Sequence, residues 1–234
     1  MQVLVERAVA DARAYERGGM HALVMENFGD VPFTKGRVAP ETVAAMAVAA
    51  SSVRMATNLP LGFNVLRNDP QAALALCAAC EGGFIRVNVH VGAMVTDQGV
   101  IEGDAYGTLR CRRALDVDAE IFADVHVKHA APLANLPIGL VARDAIERGL
   151  ADALIVSGTG TGAAPDLNDL KAVREACPRA RILIGSGATA ENVRSFLRWA
   201  DGVIVGSTLK MSGRVAKPVD QRRVAAFTRA ATRA

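Results

Sequence analysis

Apolar and polar positions trade places along this chain in two rhythms. Short runs rich in Val and Ile alternate with period two, and between them lie longer runs of helical periodicity that end in Gly. The strand-like runs are MHALVMEN (20–27), LGFNVLRND (61–69), FIRVNVH (84–90), EIFADVHVKH (120–129), ADALIVSG (151–158), RILIGSG (181–187) and DGVIVGS (201–207). Helical patterns fall near 40–56, 70–81, 104–115, 137–149, 166–176 and 189–199, with a first helix over about 3–17 and a last over about 218–232. Such an alternation predicts a parallel sheet flanked by helices.

A faint repeat sharpens the expectation. AYERGGMHALVMEN resembles AIERGLADALIVSG at an offset of 131 residues, with Ala14, Glu16, Arg17, Gly18, Ala22 and Leu23 matching Ala145, Glu147, Arg148, Gly149, Ala153 and Leu154. A barrel built of two similar halves would show this, although Glu-Arg-Gly is also a common helix end. The alternation contains seven strands and eight helices and opens on a helix. The expected fold class is α/β, a TIM (β/α)8-type barrel in a single domain over 1–234, with the first strand missing from this chain. Strands two and eight of that barrel should flank a gap or draw together across it. The expectation is that the true start lies upstream of Met1, or that Met1 begins a truncated copy.

In such a barrel the chemistry sits where the strands end. Period two puts Asp124, His126 and Lys128 on one face of the fifth strand, and Arg86, Asn88 and His90 on one face of the fourth. Glu26 and Asn64 fall on the second and third strands. Buried charges cost several kcal/mol each unless paired, so the cluster reads as an active site rather than a structural ion-pair layer. Lys128 is the candidate for a Schiff base or for polarising a carbonyl, and Asp124, His126 and Glu26 for moving protons. Asn64, Arg86, Asn88 and His90 are the candidates for holding substrate oxygens. No cofactor is predicted. A divalent metal on His90, Asp124 and His126 stays open, without a compact ligand motif behind it.

The last three strands end in small residues and read as a phosphate cradle. Gly185, Ser186 and Gly187 precede a helix expected to open around Thr189 and Glu191, Gly206 and Ser207 do the same one unit later, and Gly158, Thr159 and Gly160 close from the sixth strand. Two long segments, 28–39 and 91–103, are polar enough to serve as lids, the second carrying Asp97 and Glu102.

Composition excludes several partners. The net charge is +3, the basic residues are scattered among acids, and aromatics make up 4% of the chain, so no nucleic-acid-binding stripe is present. No apolar run reaches the length of a membrane span, and residues 1–20 carry too many charges for a signal peptide, so a cytoplasmic protein is expected. Self-association is left open. Cys77 and Cys80 form a C-x-x-C, but with no second pair and with Ala and Leu around them they read as a buried helix face.

The motifs MENFGDVPF, NVLRND, FIRVNVHVGAMVTDQGVIEG, DVHVKHAAPL, ADALIVSGTGTG, IGSGATAENV and DGVIVGSTLK resemble those of the BtpA/SgcQ family over nearly the whole chain. The resemblance implies a barrel of the ribulose-phosphate-binding type. Cyanobacterial members are linked to accumulation of photosystem I at the thylakoid membrane, and other bacterial members sit among sugar-metabolism genes. It thus implies two readings: an enzyme acting on a phosphorylated sugar or nucleoside-like molecule, and a non-catalytic biogenesis factor for a membrane complex with peripheral membrane association. Family members usually begin with a strand like GMVHLPPLPG, which is absent here.

Overall fold

The computed structural model describes residues 1–158, 160 and 162–232. Its main sheet has seven strands: β1 Leu23–Glu26, β2 Leu61–Asn64, β3 Phe84–Val87, β6 Glu120–His126, β8 Ala153–Val156, β9 Arg181–Ile184 and β10 Gly202–Val203. They lie side by side in that order, and every pairing is parallel. Helices α1 (Gln2–Arg17), α2 (Pro40–Ala56), α3 (Pro70–Cys80), α4 (Ala105–Ala114), α5 (Ile138–Arg143, continued by a π-helical turn to Arg148), α6 (Leu167–Ala176), α7 (Val193–Phe196) and α8 (Gln221–Thr232) alternate with the strands. This is a TIM-barrel-type sheet, and no pairing joins β1 to β10 among the described residues.

The phase of each strand sets the layers. Phe63, Ile85, Ile121, Leu154, Ile182 and Ile184 are fully buried against the helices, so the alternate residues face the barrel interior. At the N-terminal end of the barrel that interior is filled by the stacked rings of Phe84 and Phe122, 4.8 Å between centroids, with Arg181 over Phe122 and paired to Glu120 at 2.6 Å. Gly62 is part of this fit, because a Cβ there would overlap the Phe84 ring. Local signals start the helices as their sequences imply: Asp69 accepts from Ala72 N at 3.0 Å ahead of Pro70, and Asp104 from Gly107 N at 2.8 Å.

The unpaired sheet edges are bridged in the helix layer. Asp11 of α1 accepts from Lys210 Nζ at 2.5 Å and from Val219 N at 2.8 Å, and Thr228 of α8 donates to Gly18 O at 2.8 Å. A Cβ on Gly18 would overlap Val224, so α1 and α8 meet closely only because that residue is glycine.

Two expectations change and one, on the cysteine pair, holds. Segment 91–103 is no polar lid loop; it folds into the hairpin β4 (Ala93–Thr96) and β5 (Gly99–Glu102), joined by β7 (Ala130–Pro132) in a second, antiparallel sheet. Val89, Met94, Ile101 and Val127 form its core, and their alternation with polar residues is what pairs the hairpin. The helix expected over 189–199 is a single turn, Val193–Phe196, because Thr189 N donates to Asn192 Oδ1 and holds 189–192 in a turn. Cys77 and Cys80 are buried in α3, with burial raising the Cys77 thiol to about 12, so the pair is inert packing.

Candidate active site

The C-terminal end of the barrel holds a connected cluster of charges. Arg86 on β3 and Asp124 on β6 form a two-pronged pair, Nε to Oδ1 at 3.2 Å and Nη2 to Oδ2 at 3.0 Å. Asn88 donates to the same carboxylate at 2.8 Å. Glu26 on β1 lies 3.6 Å from Arg86 Nη1 and accepts from Asn64 Nδ2 on β2 at 3.2 Å. Four neighbouring strands thus contribute one inward residue each to a single network. Burial opposes the Arg86 charge, but Asp124 and then Glu26 outweigh it and hold its pKa above the ordinary arginine value.

Two further cations stand beside this network. Lys128 follows β6 and donates to Gly185 O at 3.4 Å, a long bond. Arg67, after β2, is buried and donates to the Lys128 carbonyl. Among the described residues, neither has a carboxylate at ion-pair distance. Burial, then the neighbouring Arg86, holds Lys128 below the usual lysine range, with Glu26 and Asp124 only partly offsetting them. Burial lowers Arg67 as well, against the pull of Asp97 and Asp124. The spacing signalled Lys128. Arg67 was visible only as one of several polar residues at the end of the LGFNVLRND run.

Two predicted members lie elsewhere. The β6–β8 register shifts between Asp124 and His126, so a bulge at Val125 breaks the period-two phase. His126 then pairs with Val156, a residue packed against the helices, and its electrostatic neighbour is Asp169 on α6. Burial lowers its pKa, and Nε2 has no hydrogen-bond partner. His126 therefore does not join Asp124 and Lys128. His90 lies beyond the end of β3, fully buried, with Nε2 2.8 Å from Gly149 O at the end of the α5 segment. It ties the end of β3 to the helix layer. The metal set of His90, Asp124 and His126 is dispersed accordingly, and among the described residues no group of three or more His, Cys, Asp or Glu side chains could hold a metal ion.

The glycine-rich segments meet on the opposite rim. Ser186 Oγ donates to Ala163 O at 2.8 Å and accepts from Gly158 N at 3.1 Å, so the β8–α6 connection folds over β9. Cβ atoms on Gly158 or Gly187 would overlap the backbone of 163–164, and one on Gly162 would stand 4.0 Å from Ser207 Oγ. Gly160 approaches the His129 ring in the same way, at 3.4 Å. Thr159 lies outside the described residues. Two of the expected amides are already used: Gly185 N donates to Val156 O at 2.9 Å, and Gly158 N to Ser186. The N–H groups of Ser186, Gly187, Gly206 and Ser207 have no acceptor among the described residues. They sit in loops, since α7 begins only at Val193 and a 3₁₀ turn, Ser207–Leu209, follows β10, so any anion there meets loop amides rather than a helix dipole. Gly185 joins the two rims: Lys128 reaches its carbonyl, and Arg86 Nη2 lies 3.3 Å from where its Cβ would stand.

The family model of the BtpA family matches residues 1–233. "Photosystem I biogenesis protein BtpA" of Synechocystis is 44% identical over 230 residues, 98% of this chain and 80% of that protein. A protein without an assigned role from Archaeoglobus fulgidus is 43% identical over 231 residues, 99% of this chain and 90% of its own. Among solved structures, N-(5'-phosphoribosyl)anthranilate isomerase from Pyrococcus furiosus aligns with a TM-score of 0.65 at 13% identity, covering 96% of each chain. Thiamine phosphate pyrophosphorylase from the same organism aligns with a TM-score of 0.62 at 14% identity, over 96% of this chain and 89% of that one. These two likenesses establish the fold.

Proposed function

Because the chain belongs to the BtpA family and carries this cluster at the C-terminal end of its barrel, we propose that it is an enzyme acting on a phosphorylated sugar or nucleoside-like small molecule. One observation carries the reading: Lys128 and Arg67 bring two positive charges to the barrel mouth with, among the described residues, no acid at ion-pair distance, beside a fully paired Arg86–Asp124. A buried cation without a partner is costly unless an anion arrives to meet it. The amides of Ser186, Gly187, Gly206 and Ser207 would hold the phosphate, with Gly158, Gly160 and Gly185 letting the surrounding segments pack closely around it. Lys128 is the residue for the reacting carbonyl. Its lowered pKa enlarges the share of neutral amine, which adds to a carbonyl carbon and expels water to form a Schiff base. Asp124 and Glu26 remain as proton carriers, and Asn64, Arg86 and Asn88 hold them in place. This suits isomerase, lyase or aldolase-like chemistry.

A thermal-shift screen against phosphorylated sugars and nucleotides tests it. A ligand at a hundred times its Kd stabilises by about 2.7 kcal/mol. The shift should be lost in Lys128→Met. Borohydride reduction with a bound carbonyl ligand should add the ligand's mass less one oxygen atom at Lys128, since water leaves and two hydrogens are gained. No response to any phosphorylated compound would sink the reading.

The Synechocystis relative's printed name favours a second reading, a non-catalytic assembly factor for a membrane complex. The two separate in a Synechocystis strain lacking that relative. Rescue by both this chain and its Lys128→Met variant would support the assembly role, whereas rescue by the unaltered chain alone would support the enzyme.

A further inference from the structure

Five buried side-chain polar atoms have no hydrogen-bond partner among the described residues: Asn88 Oδ1, His90 Nδ1, Gln98 Oε1, His126 Nε2 and Ser157 Oγ. An orphaned buried polar atom costs about 1–3 kcal/mol, so each asks for a reason. Two of them stand at the charged cluster. Asn88 is 4% exposed and donates its Nδ2 to Asp124 Oδ2. A carboxylate accepts only, which fixes the amide's orientation and leaves Oδ1 as an acceptor without a donor. Ser157 follows β8, and its Oγ would be overlapped by a Gly185 Cβ, at a point that is 3.3 Å from Arg86 Nη2 and on the residue whose carbonyl Lys128 reaches.

We infer that Asn88 and Ser157 receive hydroxyl groups of the ligand, so the site takes a polyhydroxylated phosphate ester and discriminates against a phosphate ester with a bare carbon chain. The inference rests on the phosphate reading above and narrows it. Asn88 Oδ1 needs an O–H or N–H from its partner; a ligand carbonyl cannot serve. Ser157 both donates and accepts, and a sugar hydroxyl matches it in either direction. Entry needs little rearrangement. The Lys128 ammonium is held at Gly185 O only by a 3.4 Å bond and can leave that carbonyl for the ligand. Until then the empty protein carries two unsatisfied atoms, the trade between stability and function common at binding sites.

The test compares three probes by calorimetry and thermal shift: inorganic phosphate, ribose 5-phosphate and pentyl phosphate. The unaltered protein should bind ribose 5-phosphate at least about tenfold more tightly than pentyl phosphate. Ser157→Ala removes only an orphaned hydroxyl, so the empty variant should melt no lower than the parent. It should bind ribose 5-phosphate about tenfold more weakly and pentyl phosphate unchanged. Asn88→Ala should erase the preference further; if it fails to fold, Ser157→Ala decides. Equal binding of the two esters by the parent, or an unchanged preference in Ser157→Ala, overturns the inference and leaves phosphate binding standing. No response of the parent to any of the three probes overturns the phosphate reading itself.

Discussion

Arg86 and Asp124 face each other across β3 and β6 through two hydrogen bonds, with the Arg86 side chain 2% exposed and that of Asp124 fully buried. Truncating one partner of such a pair leaves the other charged and dry. Asp124→Ala is therefore expected to lose about 3–5 kcal/mol, whereas Arg86→Met with Asp124→Leu should recover most of that and leave phosphate binding, assigned to Lys128, Arg67 and the loop amides, in place. Urea unfolding of the two variants, read with phosphate titration, separates the pair's structural role from any part in binding.

Lys128→Met should raise stability at pH 7 by about 1 kcal/mol, because it removes a desolvated cation without an acid partner. The gain falls with pH in a defined way. The folded pKa lies below the ordinary 10.5, so between the two the unfolded chain binds more protons and the parent gains stability as pH rises. The variant's advantage should accordingly shrink toward pH 10.5. Paired denaturation curves at pH 7 and pH 10 check this.

His90 gives the acid side. Burial holds it below its ordinary 6.5, so its neutral form supports the fold fully above that value, and support is lost as pH falls through the lowered folded pKa. His126 is shifted the same way, also by burial. The parent should lose stability from pH 7 to pH 5, and His90→Gln should show a shallower loss with His126 still contributing. A slope identical to the parent's would refute the assignment.

Gly185 has no room for a side chain, since a Cβ would overlap Ser157 Oγ and come within 2.6 Å of Ile155. Gly185→Ala should cost about 1–3 kcal/mol by overpacking and weaken phosphate binding, because the carbonyl that holds Lys128 shifts with it. Gly83→Ala, with nothing within 4 Å of its Cβ, is the matched control.

The period-two reading of β6 placed Asp124 at the barrel mouth, and the alternation of FIRVNVH did the same for Arg86, while Asn88 and Lys128 reach it from just past the ends of β3 and β6. Pattern is enough there, because a strand buried on both faces has two distinct environments to satisfy. It failed at His126 because one inserted residue, Val125, flips the phase, and nothing in a run of alternating residues announces a bulge. It failed at His90 because β3 stops at Val87, so alternation continued past the ladder that gives it meaning. Ser157 was hidden inside a run of small residues that reads as turn-forming. Its significance lies in an absent partner, which no sequence pattern displays.

Asp11 and Val219, which bond across the seam of the barrel, stand 208 residues apart in the chain. A ribosome adds about 5–20 residues per second, so roughly ten to forty seconds separate the synthesis of the two. Through that interval α1 can be anchored on neighbours made early, α2 above all, while its Asp11 carboxylate lacks Lys210 and Val219 and the surface meant for α8 stays uncovered. Closing the seam between α1 and α8 is consequently a late event of biosynthesis.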